Sequence, residues 1–508
     1  MQIEWHIAPI SEWRADAILF FAFENAPEPL PGFRHWISEG SSWPGDAAAA
    51  ALADFQWKPQ QVALFYAPQG GEIPRVICTG LGPEDKFDMD KLRGAVSAAV
   101  RKCRELRLAS PALPLQALEG LPVETGAALR EGLMAAFSSL YHYDALKTRD
   151  TEHGEFPETL VLLAEKEPGE ALREISSLAA ASSMGLFLAR ELTILPANEA
   201  TPSYLAEVAG RLSEQYDFRL EVFDLEKARS MGMGAFAAVA QGSREPARMI
   251  VLEHVPPGTG QDPPLVFIGK GITFDTGGIS LKPSANLEAM KQDMAGAAAV
   301  LGAMDAIGTT GLNRRVVAIL PCTENMPGGE AYKPGDVLRS LSGQTIEVIS
   351  TDAEGRLILC DAITYAQSFQ PALIVDIATL TGACVTALGT RVAGLMGNRD
   401  ALIQKVRELG MEIGERLWPL PLFDFYFDQL KSDVADFKNV GDRTAGSIVA
   451  GMFLKQFVPD GVPWLHLDIA GTAWADKDTA ATPKGATGFG ARLLLELARR
   501  WPELATEA

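Results

Sequence analysis

Short apolar runs separated by helix-length amphipathic stretches recur along most of the chain, and this alternation constrains the fold more than any other feature. Runs at 17–23, 61–67, 75–80 and 159–164 are rich in β-branched or aromatic residues and bounded by Gly, Pro or charge, as strands are. Between them, 88–106 carries Leu92, Val96, Val100 and Cys103 on one helical stripe, and 124–141 reads as a second helix. Beyond residue 198 the alternation restarts. Strands are expected at 219–223, 249–254, 265–268, 316–320, 345–349, 373–377 and 464–467, with a terminal helix at 491–501. Such alternation builds layered α/β folds. A chain of 508 residues is also too long for one ordinary domain. A helix-forming stretch at 168–191, stopped near Pro196, separates the two series. Thr201 followed by Pro202 then supplies a helix start. The expected architecture is α/β with a smaller N-terminal α/β domain at 1–165, a connecting helix at 166–197 and a larger C-terminal domain at 198–508. The larger domain should hold a central mixed sheet flanked by helices.

Charge and cysteine usage narrow the functional classes. The formal net charge of -20 argues against nucleic acid as the main partner, because nucleic-acid binders present a basic face. Five cysteines form no CxxC pair and sit in apolar surroundings, so they read as small buried hydrophobes in a reducing compartment. The apolar run at 17–23 is short and follows charged residues, which suits a strand and not a signal peptide. No segment is long and apolar enough for a membrane span, and a cytoplasmic location is expected.

The chemistry concentrates in three segments where carboxylates stand amid apolar or small residues. In GKGITFDTGGISLK at 269–282, a strand-like run leads to Lys270 and then to a glycine-rich loop carrying Asp275 and Lys282. MKQDMAGAAAVL at 290–301 reads as one close-packing helix with Asp293 near its start, where Gly296 and Ala297 could not pair a charge. In STDAEGRL at 350–357, Asp352 and Glu354 would point the same way if the chain stays extended. Arg356 then opens a helix, 357–366, whose N-terminus suits an anion. Four converging carboxylates repel unless cations compensate them. With no HExxH and no Cys/His cluster, the oxygen-rich set suits Mn²⁺ or Mg²⁺ and can hold Zn²⁺ in a two-metal site.

These segments together resemble the leucyl aminopeptidase (cytosol aminopeptidase) family, the M17 metallopeptidases. DAEGRL at 352–357 matches its signature, and the likeness extends to PGGEAYKPGDV at 327–337, ATLTGA at 378–383 and LDIAG at 467–471. The resemblance implies a two-metal aminopeptidase that removes Leu and other apolar N-terminal residues from peptides. Asp275 and Glu354 would bridge two metals, Lys270 and Asp293 would complete the tighter site, and Asp352 the more exchangeable one. Lys282 would polarise the scissile carbonyl, and Arg356 would hold a bicarbonate ion acting as general base. Met290, Thr379, Gly382, Ala470 and Ala473 would line the pocket for the first residue. A homohexamer of two stacked trimers is implied as well. Ser350 stands where the family usually has Asn.

Taken singly, several of these residues have plainer readings. An isolated Lys282 is a solvated lysine, Lys270 at a strand end would snorkel, and Met290 is more often core than pocket. His466 is read as a satisfied core histidine and Asp468 as a cap or turn residue, so neither joins the site. Two other functions stand beside the aminopeptidase: a DNA-binding or regulatory protein on the same scaffold, which the net charge opposes, and a preference for Cys-Gly dipeptides.

Overall fold

The computed structural model describes residues 1–24, 33, 55–66, 73–149, 157–479 and 482–506. It divides into two units, Met1–Ser183 with Lys477–Lys484, and Met184–Asp476 with Gly485–Ala508. The first unit contains strands β1 (Gln2–Ile7), β2 (Ala17–Phe23), β3 (Val62–Tyr66) and β4 (Arg75–Gly82), helix α1 (Met89–Glu105), strand β5 (Pro111–Pro114), helix α2 (Thr125–Leu140) and strand β6 (Thr159–Ala164). They form one sheet in the order β1-β6-β5-β2-β4-β3, parallel throughout except for the β3–β4 pair. Every residue of β2 is buried, which explains its unbroken apolar sequence: a parallel strand is covered on both faces. The structure adds two strands to the expected set. Prolines at both ends of β5 argue against a strand, but Ala112 between them pairs with β2 on one side and β6 on the other. β1, QIEWHI, alternates polar and apolar residues strictly, but it is only six residues long and none of them is buried.

The 25-residue helix α3 (Glu170–Ile194) leads to α4 (Pro202–Tyr216), where the Thr201 hydroxyl accepts from the Tyr204 amide as an N-cap. The large sheet of the second unit is built from β7 (Arg219–Phe223), β8 (Arg248–His254), β9 (Leu265–Gly269), β10 (Gly271–Asp275), β11 (Val316–Asn325), β12 (Leu373–Ala378), β13 (Ala393–Gly397), β14 (Leu417–Pro419) and β15 (Trp464–Asp468). Its order is β14-β13-β15-β12-β9-β11-β8-β7, with β10 paired to β11. The central pairs β15–β12, β12–β9 and β9–β11 are parallel, while β13–β15, β11–β8 and β8–β7 are antiparallel, so the sheet is mixed. Apolar residues of the helix Gly355–Ala366 pack with Val266, Ile268, Ile319 and Ile374 in one buried cluster. The helix Ala295–Thr310 packs against β9, β11 and β12 as well. This arrangement leaves the carboxyl ends of β9, β10, β11, β12 and β15 together, the usual location of a ligand site in an open α/β sheet.

Two local expectations give way. Residues 290–301 do not form one helix: a 3₁₀ turn, Leu287–Gln292, ends before Asp293, and the α-helix begins at Ala295. Asp293 sits in the break with its side chain committed elsewhere, as an Asp that competes with helical bonding often does. The chain at 352–354 is not extended either. Asp352 lies in a turn closed by its amide on the Ser350 hydroxyl, and Glu354 is already helical at φ -80, ψ -35. Asp352 and Glu354 therefore do not share a strand face.

Candidate metal centre

Close backbone packing places the deepest part of the site. A Cβ on Gly269 would lie 2.6 Å from the Ala297 Cα, and one on Gly296 would lie 2.1 Å from the Ile377 carbonyl oxygen. The small residues at the start of the 295–310 helix thus let it touch the ends of β9 and β12. Lys270, just past β9, is fixed through its own backbone: its N–H donates to the Ile377 carbonyl and its carbonyl accepts from the Ala297 amide. Its ammonium is 2.7 Å from Asp293 Oδ2 and 2.8 Å from Glu354 Oε1, and it donates to the Thr379 carbonyl at 3.0 Å. The Thr379 hydroxyl in turn donates to Asp293 Oδ1 at 2.7 Å.

Asp275 ends β10 with Oδ1 accepting from the Gly277 amide and from Asn325 Nδ2, at 2.9 and 2.8 Å. Its Oδ2 faces the Lys282 ammonium at 2.7 Å, and Lys282 also ion-pairs with Asp352. Oxygens of Asp275, Asp293 and Glu354 all lie within 4.8 Å of one another and all three residues are buried, whereas the Asp352 side chain is 38% exposed. Arg356 is buried one residue into its helix, and its Nη1 donates to the Asn439 carbonyl.

The electrostatics follow from this crowding. Burial, then the neighbouring carboxylates, raise Asp293 well above the usual carboxylate range, against the pull of Lys270. Glu354 and Asp352 are raised for the same first reason, with Asp275 adding to it. Burial would lower both lysines, but the surrounding carboxylates reverse the sign and raise Lys270 and Lys282. Burial pulls the Arg356 guanidinium down to about 10, opposed by Glu354 and Asp468. Four carboxylates thus face two lysines. The Oε2 atom of Glu354 is buried with no hydrogen-bond partner, and Asp293 Oδ2 is close to Lys270 without hydrogen-bond alignment. A buried, partnerless carboxylate oxygen beside two further carboxylates fits a hard divalent cation.

Sequence reasoning missed the supports of the site. Asn325 at the end of β11, Tyr332, Thr351 and Asn439 are buried polar residues that bond the ligand-bearing loops to one another. Only Asn325, closing the strand that opens with the apolar run 316–320, stood where a sequence signal was available. Asp468 does act at a turn, accepting from the Leu380, Thr381 and Ala470 amides. His466 is a core residue paired with Asp376 at 2.5 Å, although its Nε2 has no partner. Of the remaining expected pocket residues, Met290 is half-buried on the 3₁₀ turn, Gly382 is exposed at a helix start, and Ala470 and Ala473 follow β15, with Ala473 buried.

Comparison with known proteins decides the family. The model described as "Cytosol aminopeptidase family, catalytic domain" matches residues 187–495, and "Cytosol aminopeptidase family, N-terminal domain" matches 47–150. The chain belongs to the cytosol aminopeptidase family. It is therefore a metalloaminopeptidase that acts on peptides and binds divalent metal. It is 60% identical to a "Probable cytosol aminopeptidase" of Syntrophobacter fumaroxidans over 99% of each chain, and 46% identical to one of Nitratidesulfovibrio vulgaris over 98% of each. Among solved structures it is similar to a mutant of tomato leucine aminopeptidase, at TM-score 0.86 and 32% identity, covering 98% of this chain and 96% of that one. It is also similar to the bottromycin maturation enzyme BotP in complex with Mn, at TM-score 0.83 and 34% identity, covering 96% and 99%. All five cysteines are free and buried. Among the described residues no helix is long and apolar enough to cross a membrane.

Proposed function

We propose that this cytosol aminopeptidase family member uses two divalent ions to release Leu and other apolar residues from peptide N-termini. The observation that supports this reading is the partnerless, buried Oε2 of Glu354 where the side chains of Asp275, Asp293 and Lys270 converge. Asp275 and Glu354 would bridge the ions, Lys270 and Asp293 would complete the tighter site, and Asp352, half-exposed, the exchangeable one. Mn²⁺ and Zn²⁺ suit these donors, with Mg²⁺ a third choice. Bound ions supply Lewis acidity that polarises the scissile carbonyl and lowers the pKa of water. Lys270 must lose its proton to serve as a donor, and a neighbouring dication favours that loss.

The chain's own groups do the rest. Lys282, on a long stem at the edge of the cluster, presents its ammonium to the carbonyl oxygen and holds the charge that develops there. Arg356 would hold a bicarbonate ion, which would supply a general base for the attacking water; its Nε is buried without a partner and free to donate. Met290, Thr379, Gly382, Ala470 and Ala473 line the first-residue pocket, where the small Ala473 leaves room for a branched side chain. We take the working form as a cytoplasmic homohexamer, with 1–165 as the N-terminal domain, 166–197 as the connecting helix and 198–508 as the catalytic domain. Hydrolysis of leucine p-nitroanilide with added Mn²⁺ tests the activity. Elemental analysis after dialysis tests the metal roles: Asp275→Ala and Glu354→Ala should release both ions, and Asp352→Ala mainly one. Equal retention in all three variants rules out bridging. Light scattering showing a fully active monomer rules out the hexamer.

A further inference from the structure

The glycine loop that carries Lys282 is fixed at its start, where the Thr276 amide and hydroxyl both donate to the Asn325 carbonyl. Gly277 and Gly278 adopt φ values of +86 and +65, open to glycine and strained for other residues. The loop meets the ligand turn around Thr351. The Thr351 hydroxyl donates to the Gly277 carbonyl at 2.6 Å and accepts from the Ser280 amide at 2.8 Å. The bond is returned: the Thr351 amide donates to the Ser280 hydroxyl at 3.1 Å. The Thr351 carbonyl is anchored from the opposite side by Asn325 Nδ2 at 2.9 Å and by the Tyr332 hydroxyl at 2.8 Å. Asn325 also holds Asp275, and the Lys282 amide closes the loop on the Thr276 carbonyl. Thr351 is completely buried and directly precedes Asp352, which ion-pairs with Lys282.

The geometry points to Thr351 as a positioning residue that sets the place of the Lys282 ammonium relative to the carboxylates by bracing loop 276–282 against turn 350–354. It is not a donor to the ions or to the substrate. It acts through two backbone groups of the loop, Gly277 C=O and Ser280 N–H, whose partners are otherwise lost. This inference rests on Lys282 acting at the reacting carbonyl. An ammonium displaced by about 1 Å can lose on the order of 100-fold in rate, because orientation is a large part of catalysis. Ground-state binding of the peptide does not depend on it, so the loss belongs in kcat rather than KM.

Thr351→Val keeps the shape and removes the hydroxyl; Thr351→Ser restores it. In the metal-loaded enzyme, hydrogen-exchange mass spectrometry on peptides covering 276–282 should show faster exchange at Ser280 in Thr351→Val by about tenfold or more. In the same samples kcat should fall roughly 10- to 100-fold with KM within about twofold and metal content at the parental value. Thr351→Ser should return both readings to the parental range. If Thr351→Val does not fold, Ser280→Ala removes the returned bond alone and should raise exchange at Thr351 while lowering kcat less. Unchanged exchange at the far side of the brace in whichever variant folds overturns the inference. So does faster exchange with parental kcat, provided that Lys282→Ala itself loses turnover. If Lys282→Ala keeps parental turnover, the assignment of Lys282 is what has failed, and the inference falls with it.

Discussion

Replacing Lys282 by Ala tests the proposed electrophile separately from the proposed metal donors. The ammonium lies 2.7 Å from Asp275 Oδ2 and pairs with Asp352, with 23% of the side chain exposed, so it stands at the solvent-facing edge of the carboxylate cluster. Its removal takes a cation away from two carboxylates. Nothing is lost that donates to a metal ion, and the remaining negative charge favours divalent ions more than before. Metal content should therefore hold, and the concentration of Mn²⁺ needed for half-saturation should stay the same or fall. Turnover should behave in the opposite way. One donor aimed at an oxyanion is worth about 2.7–4 kcal/mol, so kcat should drop roughly 100- to 1000-fold. Arg356→Ala, acting one step from the carbonyl, should lose less and respond weakly to added bicarbonate. Steady-state kinetics on leucine p-nitroanilide, with elemental analysis of the same samples, checks both variants. A Lys282→Ala enzyme with parental kcat and a full metal complement would refute the assignment. Loss of metal in step with loss of turnover would refute the reasoning that the ammonium competes with the ions.

Thr379→Val removes the hydroxyl that donates to Asp293 Oδ1, and should weaken metal affinity about 10- to 100-fold, read by Mn²⁺ titration of activity and of bound metal. Gly278→Ala places a Cβ 2.8 Å from Asn325 Oδ1 at positive φ; it should cost about 2 kcal/mol and lower the Tm, and an unchanged Tm contradicts the packing. Asp361 is fully buried and accepts from the Phe236 and Leu341 amides, while burial pushes its carboxyl up to about 7. The folded protein then binds more protons than the unfolded chain between the usual Asp value and about 7, so this contribution is fully present at low pH and is lost as pH rises through about 7. The Tm of the parent minus that of Asp361→Asn should be more positive near pH 5 than near pH 8, and the reverse order sinks the argument.

Strands β2, β6 and β7 begin and end at the residues where sequence reading puts them, because continuous burial or sharp flanking turns mark their limits. The same reasoning finds no strand at 111–114 or 393–397: two prolines bracket the first, and the second opens with Ala-Gly and ends in Gly. Both exist because neighbours on either side supply the pairing. The carboxylates of the site are conspicuous as charges amid glycine and alanine, and their neighbourhood follows from strand ends meeting at one edge. What local sequence does not contain is the turn at 350–354. An extended path there obeys every nearby preference. The turn forms because Thr351 bonds to Gly277 and Ser280, 74 and 71 residues earlier, and because Asn439, nearly ninety residues later, holds the Ser350 carbonyl and the Ile349 amide. Arg356 is likewise aimed by the Asn439 carbonyl, 83 residues away. Charge placement was thus a local property, readable residue by residue, whereas the orientation of each charge is set by buried Thr and Asn side chains whose partners are distant in the chain. In a centre that must hold cations between fixed carboxylates, those neutral residues decide the geometry, and substitutions at Thr351 or Asn325 should lower turnover without removing any charge, Thr351→Val by less than Lys282→Ala.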